Sequence, residues 1–256
     1  MPLLGYEKYG HGAERVVLMH ELLGDHKNWD PILPYLNFER CTYVFPDFRG
    51  YGLSRDLVGS YSLEETANDV MDLADALGFT RLHVVGHSMS GMIAQWIAIR
   101  WPSRVKSVVA IAPVPASGFK TDAAGLDRLL AIADDDQLAY DAIAARTGNR
   151  YSVGWLARKL TIARAAATRE AMHGYIRMFT KADFSSEACG LETPFLCIVG
   201  AHDIPLYREE SVRATLGKWY SNFEVVVCRE AGHYPMLEAP VFTASQIDRA
   251  VAAHAA

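Results

Sequence analysis

Ser88 lies in the run Leu82-His83-Val84-Val85-Gly86-His87-Ser88-Met89-Ser90-Gly91, where an apolar, strand-like stretch stops abruptly and an amphipathic segment begins at once. A strand that turns sharply into a helix can hold a serine hydroxyl at the apex of the turn, ready to attack a carbonyl carbon. The serine then takes a strained backbone conformation, so the groups two positions to either side must be small. Gly86 and Ser90 occupy those positions. A serine hydroxyl is a poor nucleophile at neutral pH and needs a base within hydrogen-bond reach, with an acid to fix the tautomer of that base. Asp203 is the acid candidate, because it follows the apolar run Phe195–Val199 at the strand edge where catalytic groups of parallel sheets gather. Glu209 and Glu210 are rival acids, expected on the solvent face of the next helix. His233 is the base candidate, on a loop after the last apolar run and preceded by Gly232. Among the other eight histidines, His87 and His202 point elsewhere by strand alternation. His83 falls in a strand, His173 in the middle of the chain, His11 and His26 in loops, and His254 in the tail.

The elements that must position these groups follow from the pattern of apolar runs. Strands are expected at Arg15–His20, Thr42–Asp47, Arg81–Gly86, Val105–Ala112, Pro194–Val199 and Phe223–Cys228. Helices are expected at Asn28–Leu36, from Ser62 to Leu77, at Met89–Trp101, at Glu209–Leu216 and at Pro240–Ala253. Ser62 with Glu65 makes a capping-box pattern, and Gly78 ends that helix. Continuous apolar runs suit a parallel sheet buried on both faces, with right-handed helical crossovers. The alternation breaks between about residues 115 and 190, where alanine is abundant and four segments have helical spacing: Leu126–Ala133, Gln137–Thr147, Val153–Arg169 and Arg169–Phe179. The expected organisation is therefore an α/β core formed by residues 1–114 and 191–256, with residues 115–190 as an inserted helical cap, or lid.

Composition narrows the function classes. The chain has 256 residues, half of them hydrophobic, and a net charge of −5; its pI is about 6.0. No basic cluster follows a phosphate backbone, which argues against nucleic-acid binding. No apolar stretch is long enough for a membrane span, and the first nine residues do not read as a signal peptide. Cys41, Cys189, Cys197 and Cys228 form no Cys-x-x-Cys pair and no metal-ligand spacing, so reduced thiols in a cytoplasmic protein are expected, with no metal and no organic cofactor.

Taken together, these motifs resemble the α/β-hydrolase superfamily, in its serine-nucleophile, esterase- and lipase-like branch with a helical cap. Gly86-His87-Ser88-Met89-Ser90 resembles the family's nucleophile elbow, with Ser90 where glycine is usual. His20-Glu21-Leu22-Leu23-Gly24 resembles the His-Gly-x-x-Gly loop, with Glu21 replacing the glycine. Asp47-Phe48-Arg49-Gly50-Tyr51-Gly52-Leu53-Ser54 is similar to the Asp-x-Arg-Gly-x-Gly-x-Ser loop, where Asp47 and Arg49 would be structural. Glu230-Ala231-Gly232-His233 through Glu238 and Pro240 is similar to the catalytic-histidine loop. The resemblance spans Val16 to Pro240 and implies an α/β-hydrolase fold: a mostly parallel central sheet with helices on both faces and an inserted cap. It implies attack by Ser88, proton transfer to His233, stabilisation of the imidazolium by Asp203, and hydrolysis of an acyl-enzyme.

The oxyanion hole needs two backbone N–H groups. Met89 follows the nucleophile at the start of a helix and supplies one; Leu22 aligns with the family's second donor. Glu21 is expected to point away, because a carboxylate there would oppose the developing charge, and His20 to brace the loop. Residues assigned to substrate contact are Val114 and Tyr234 beside the catalytic loops, and Tyr151, Trp155, Tyr175 and Phe179 in the cap. Arg158, Arg164, Arg169 and Arg177 are read as solvated helix faces.

A serine at the elbow argues against haloalkane dehalogenase and epoxide hydrolase chemistry, which use aspartate there. Tyr234 stands where the related hydroxynitrile lyases carry lysine. The expected function is cleavage of a small to medium, largely apolar carboxylic ester or lactone. The alternatives are a carbon–carbon bond hydrolase of ring-cleavage products, which usually has tryptophan at the place of Tyr234, and a hydrolase-like ligand receptor.

Overall fold

The structure is a computed structural model and describes residues 2–255. Seven strands form one sheet: β1 (Tyr6–Tyr9), β2 (Glu14–Met19), β3 (Cys41–Pro46), β4 (Leu82–His87), β5 (Val105–Ile111), β6 (Phe195–Gly200) and β7 (Phe223–Cys228). Their order is β1-β3-β2-β4-β5-β6-β7. β1 runs antiparallel to β3, and every other neighbouring pair is parallel, with registers such as Val16 opposite His83 and Ile111 opposite Ile198. The central strands are buried on both faces, as their unbroken apolar runs require. β1 reads Tyr-Glu-Lys-Tyr, has no apolar run and was not expected; it closes the sheet edge, where a short strand carrying an exposed lysine is tolerated.

Helices α1 (Leu63–Ala76), α2 (Met89–Arg100), α8 (Glu209–Thr215), the short α9 (Pro235–Glu238) and α10 (Pro240–Ala253) connect or flank the strands. At α1 the Ser62 side chain accepts the Glu65 N–H, but the Glu65 carboxylate reaches back to the N–H of Tyr61 rather than Ser62, a variant of the expected box. α2 is expected to be amphipathic; nine of its twelve residues are buried, because it packs along β4 and β5 and under the helices that follow β5. The helix expected at Asn28–Leu36 is a 3-10 helix over His26–Tyr35; it contains Pro31 and Pro34, whose missing N–H groups preclude the regular α-helical ladder.

Between β5 and β6 lie α3 (Ala123–Ala131), α4 (Asp136–Arg146), α5 (Val153–Ala166), α6 (Arg169–Lys181) and the single turn α7 (Ser185–Ala188). Asp122, Asp135, Ser152 and Thr168 each accept a backbone N–H at the start of α3 to α6, so four N-caps divide an alanine-rich stretch into separate helices. Tyr175 of α6 anchors this segment to the core, with ring centroids 5.8 Å from Phe48, 5.7 Å from Tyr51 and 5.5 Å from Tyr61. Parallel strands end at one edge of the sheet, so the loops after β2, β4, β6 and β7 emerge together beneath these helices.

Candidate active site

Ser88 stands between β4 and α2 with φ 56° and ψ −113°, a conformation that costs a non-glycine residue on the order of 1–3 kcal/mol. The turn is tight enough that a Cβ on Gly86 would lie 2.2 Å from the carbonyl oxygen of Ser90. Ser90 fits where the related elbows carry glycine because its side chain turns inward. Its hydroxyl donates to the Met19 carbonyl at 2.7 Å and accepts the His87 N–H at 2.8 Å, tying the elbow to the end of β2.

Asp203 and His233 are brought together by the ends of β6 and β7. A Cβ on Gly200 would lie 1.9 Å from the Gly232 carbonyl oxygen, so the two loops touch backbone to backbone. His202 N–H donates to Ala231 O at 3.0 Å across the same contact. His233 Nδ1 then lies 2.6 Å from Asp203 Oδ2, with both side chains buried. With Asp203 holding Nδ1, Nε2 is left as the nitrogen for proton transfer. The loop is braced on three more sides. Glu238 accepts the N–H groups of Gly232 and Tyr234, each at 2.9 Å. The His233 N–H donates to Arg146 O at 2.9 Å, and its carbonyl lies 2.7 Å from His87 Nε2. Burial, with the neighbouring His233, lowers His87 to about 3, so it is a neutral ring donating from Nε2.

Ser88 and His233 line one pocket with Glu21, Leu22, Leu23, Met89, Val114, Phe119, Leu129, Ile132, Arg146, Phe179, Tyr207 and Tyr234. No hydrogen bond joins the Ser88 hydroxyl to the His233 ring in this resting geometry; such contacts commonly tighten only when substrate is bound. The cavity is about 30 Å³, room for roughly two water molecules. An open groove of about 410 Å³ outside it is lined by Lys27, Asp30, Trp155 and Arg158 among others, with no serine, threonine or cysteine among its lining residues.

Two N–H groups face this chemistry. Met89 begins α2, where the helix dipole favours negative charge. Leu22 belongs to the peptide unit whose carbonyl, on Glu21, is held by His20 Nδ1 at 2.8 Å, while His20 Nε2 accepts the Phe48 N–H at 3.1 Å. The N–H of a trans peptide points opposite to its carbonyl, so His20 turns the Leu22 N–H away from itself. Neither Leu22 N–H nor Met89 N–H donates to a protein acceptor among the described residues.

Glu21 is expected to point away from the site of charge development; the structure instead pairs its carboxylate with a cation. It is buried on the pocket wall and bound to Lys159 of α5, to Asn28 and to the Leu23 N–H. Burial alone would raise its pKa, but the Lys159 ammonium and these hydrogen bonds outweigh it and hold the carboxyl at about 2. Asp47 and Arg49 are structural: Asp47 accepts from His26 and the Leu53 N–H, and Arg49 forms a two-pronged pair with Asp69.

Of the residues assigned to substrate contact, Val114, Phe179 and Tyr234 lie on the pocket wall. Tyr175 does not, because it is spent in the aromatic anchor under α6. Tyr151 and Trp155 also lie off the wall: they stack on each other at 4.4 Å, and Trp155 faces the outer groove. Leu23, Phe119, Leu129, Ile132, Arg146 and Tyr207 also line the wall and escaped the sequence reading. Tyr207 lies four positions past Asp203, and its place on the acid loop was the available signal; its ring centroid is 4.7 Å from that of His233. Burial pushes its phenol up to about 12, against the effect of the neighbouring Ser88 hydroxyl. Arg146, at the end of α4, had no local signal. Arg164 and Arg169, read as solvated, pair with Asp136 and Asp134.

Comparison with known proteins agrees with this architecture. At 36% identity, 113 residues match the dihydrolipoyllysine-residue acetyltransferase component of the acetoin cleaving system of Cupriavidus necator, which is 43% of this chain and 29% of that protein. The chain thus spans under a third of that relative's length. A match over 92% of both chains, at 26% identity, is to the pimeloyl-[acyl-carrier protein] methyl ester esterase of Klebsiella pneumoniae (strain 342). The crystal structure of the enol-lactonase from Burkholderia xenovorans LB400 superposes with a TM-score of 0.81 at 23% identity, covering 97% of this chain and 96% of that one. Among the described residues no helix is long and apolar enough to cross a membrane. The family model for the alpha/beta hydrolase fold matches residues 14–240, and the chain belongs to that family.

Proposed function

We propose that this protein is a serine hydrolase that cleaves a small to medium, largely apolar carboxylic ester or lactone through an acyl-enzyme. One observation carries this reading: a serine at positive φ shares a pocket with a histidine whose Nδ1 is held at 2.6 Å by a buried aspartate. The Ser88 hydroxyl attacks the carbonyl carbon while His233 Nε2 takes its proton. The oxyanion forms between the N–H groups of Leu22 and Met89. His233 returns the proton to the leaving oxygen, then activates water to release the acid. α3 to α6 act as the cap that roofs the pocket. Its wall is mostly Leu, Ile, Val, Met and Phe side chains, which suits an apolar acyl group, and Arg146 adds a cation that can meet a carboxylate or a polar end of the substrate. The methyl ester esterase and enol-lactonase among the relatives support ester or lactone cleavage as the reaction class.

The test is turnover of p-nitrophenyl acetate and butyrate and of a short lactone series, with fluorophosphonate labelling mapped by mass spectrometry. Turnover that disappears in Ser88→Ala, with the label on Ser88, supports the reading. Turnover that persists in Ser88→Ala, or a label elsewhere, refutes it.

A further inference from the structure

Lys159 is 2% exposed in the middle of α5, and its three N–H donors are all used. They reach Glu21 Oε1 at 2.8 Å, the Leu23 carbonyl at 2.7 Å and Asn28 Oδ1 at 3.3 Å. The ammonium also lies 4.8 Å from the centroid of the Tyr234 ring. Every one of these partners belongs to the core, whereas Lys159 comes from the helical cap. Glu21 in turn accepts the Leu23 N–H at 2.5 Å and the Asn28 amide at 3.1 Å. Buried ion pairs rarely stabilise a fold more than well-packed apolar residues would, so stability alone does not explain this one.

Its location does. Leu22, a candidate oxyanion donor, sits between Glu21 and Leu23. The Glu21 carboxylate grips the N–H on one side of Leu23, and Lys159 grips the carbonyl on the other. The two charges together fix the backbone that aims the Leu22 N–H. Glu21 is also one of the residues lining the pocket in which the tetrahedral intermediate becomes negative, and among the described residues only Lys159 pairs with its carboxylate by salt bridge.

We propose that Lys159 is a positioning residue for the oxyanion hole, delivered by the cap: it cancels the Glu21 charge and holds the Leu22–Leu23 backbone, so that Ser88 can be acylated only while α5 is seated on the core. The proposal rests on the serine-hydrolase reading above. Lifting α5 withdraws the ammonium and leaves a bare carboxylate beside the site of charge development. Closure of the cap and competence of the hole are then one event.

Lys159→Met, Glu21→Gln and the double variant test it. Kinetics with p-nitrophenyl butyrate are expressed per fluorophosphonate-titrated site, so unfolded molecules do not count. Lys159→Met should lower kcat by about tenfold or more with KM changed less than about threefold, and the double variant should recover to within about threefold of Glu21→Gln. Packing alone would move KM or the number of titratable sites and leave kcat per site unchanged. An unchanged kcat in Lys159→Met, or a double variant no better than Lys159→Met, overturns the proposal. Should Lys159→Met not fold, hydrogen exchange of the wild-type protein decides. One shared opening rate for the Leu23 amide and the α5 amides supports the coupling; a Leu23 amide that stays protected while α5 opens refutes it. Exchange needs no turnover, so it reads the coupling even if Ser88→Ala has already disproved the hydrolase reading.

Discussion

Lowering the pH should cost this protein stability through Glu21. Its carboxyl titrates near 4.5 in an unfolded chain and near 2 in the folded one, because Lys159, Asn28 and the Leu23 N–H favour the ionised form more than burial opposes it. A group whose folded pKa is depressed supplies stability that is complete above the unfolded value and is lost as pH falls through the folded one. The interval is 4.5 minus 2, or about 2.5 pH units, worth about 3 kcal/mol in total at 1.36 kcal/mol per unit. By pH 3 about 2 kcal/mol of this is gone. Other carboxylates titrate in the same range, so the measurement is a difference. Guanidinium unfolding free energies of the wild-type protein and of Glu21→Gln/Lys159→Met are compared at pH 7, 5, 4 and 3. The wild type should lose about 2 kcal/mol more than the double variant between pH 7 and pH 3, with nearly all of that excess appearing below pH 5. Parallel losses in the two proteins would refute the electrostatic account of this pair.

Ser88→Gly should abolish ester turnover yet raise unfolding stability by about 1 kcal/mol, because glycine adopts φ 56° without strain; equal or lower stability by denaturant titration would contradict the strained elbow. Asp203→Asn should lower kcat by about 10⁴-fold with a preserved circular-dichroism spectrum, since the amide no longer holds the productive His233 tautomer; a loss under tenfold would remove Asp203 from the triad. Tyr175→Ala should destabilise by about 3–5 kcal/mol, read as a fall in Tm, because a fully buried ring leaves a cavity between α6 and the core. A shift in ester KM with an unchanged Tm would instead place that ring in substrate binding.

The features legible in the sequence are those with a local signature. The central strands announce themselves as apolar runs, and Ser88, Asp203 and His233 each follow one directly, at the edge where loops of a parallel sheet converge. Ser62 with Glu65 marks the start of α1 in the same way, whereas the caps Asp122, Asp135, Ser152 and Thr168 of α3 to α6 were not picked out. What escaped the reading depends on contacts between distant segments. β1 pairs at an edge and needs no apolar run. Tyr175 sits at a helical spacing that core and pocket residues share, and only the packing of α6 on Phe48 and Tyr51 shows it to be an anchor. Lys159, 138 residues from Glu21, looks like any lysine on a helix surface. The clue to it was Glu21 itself, since a carboxylate held in the interior calls for a cation from somewhere else in the chain.

His87 gives the site a fastening that does not loosen with use. It precedes Ser88 and donates to the carbonyl of His233, 146 positions away, so it ties the elbow to the loop of the proposed base. With its own titration displaced to about 3, the ring keeps a constant protonation state across the whole neutral range, while in the proposed mechanism the imidazole beside it gains and gives up a proton in every cycle. The geometry that serves the first proton transfer is therefore still in place for the last.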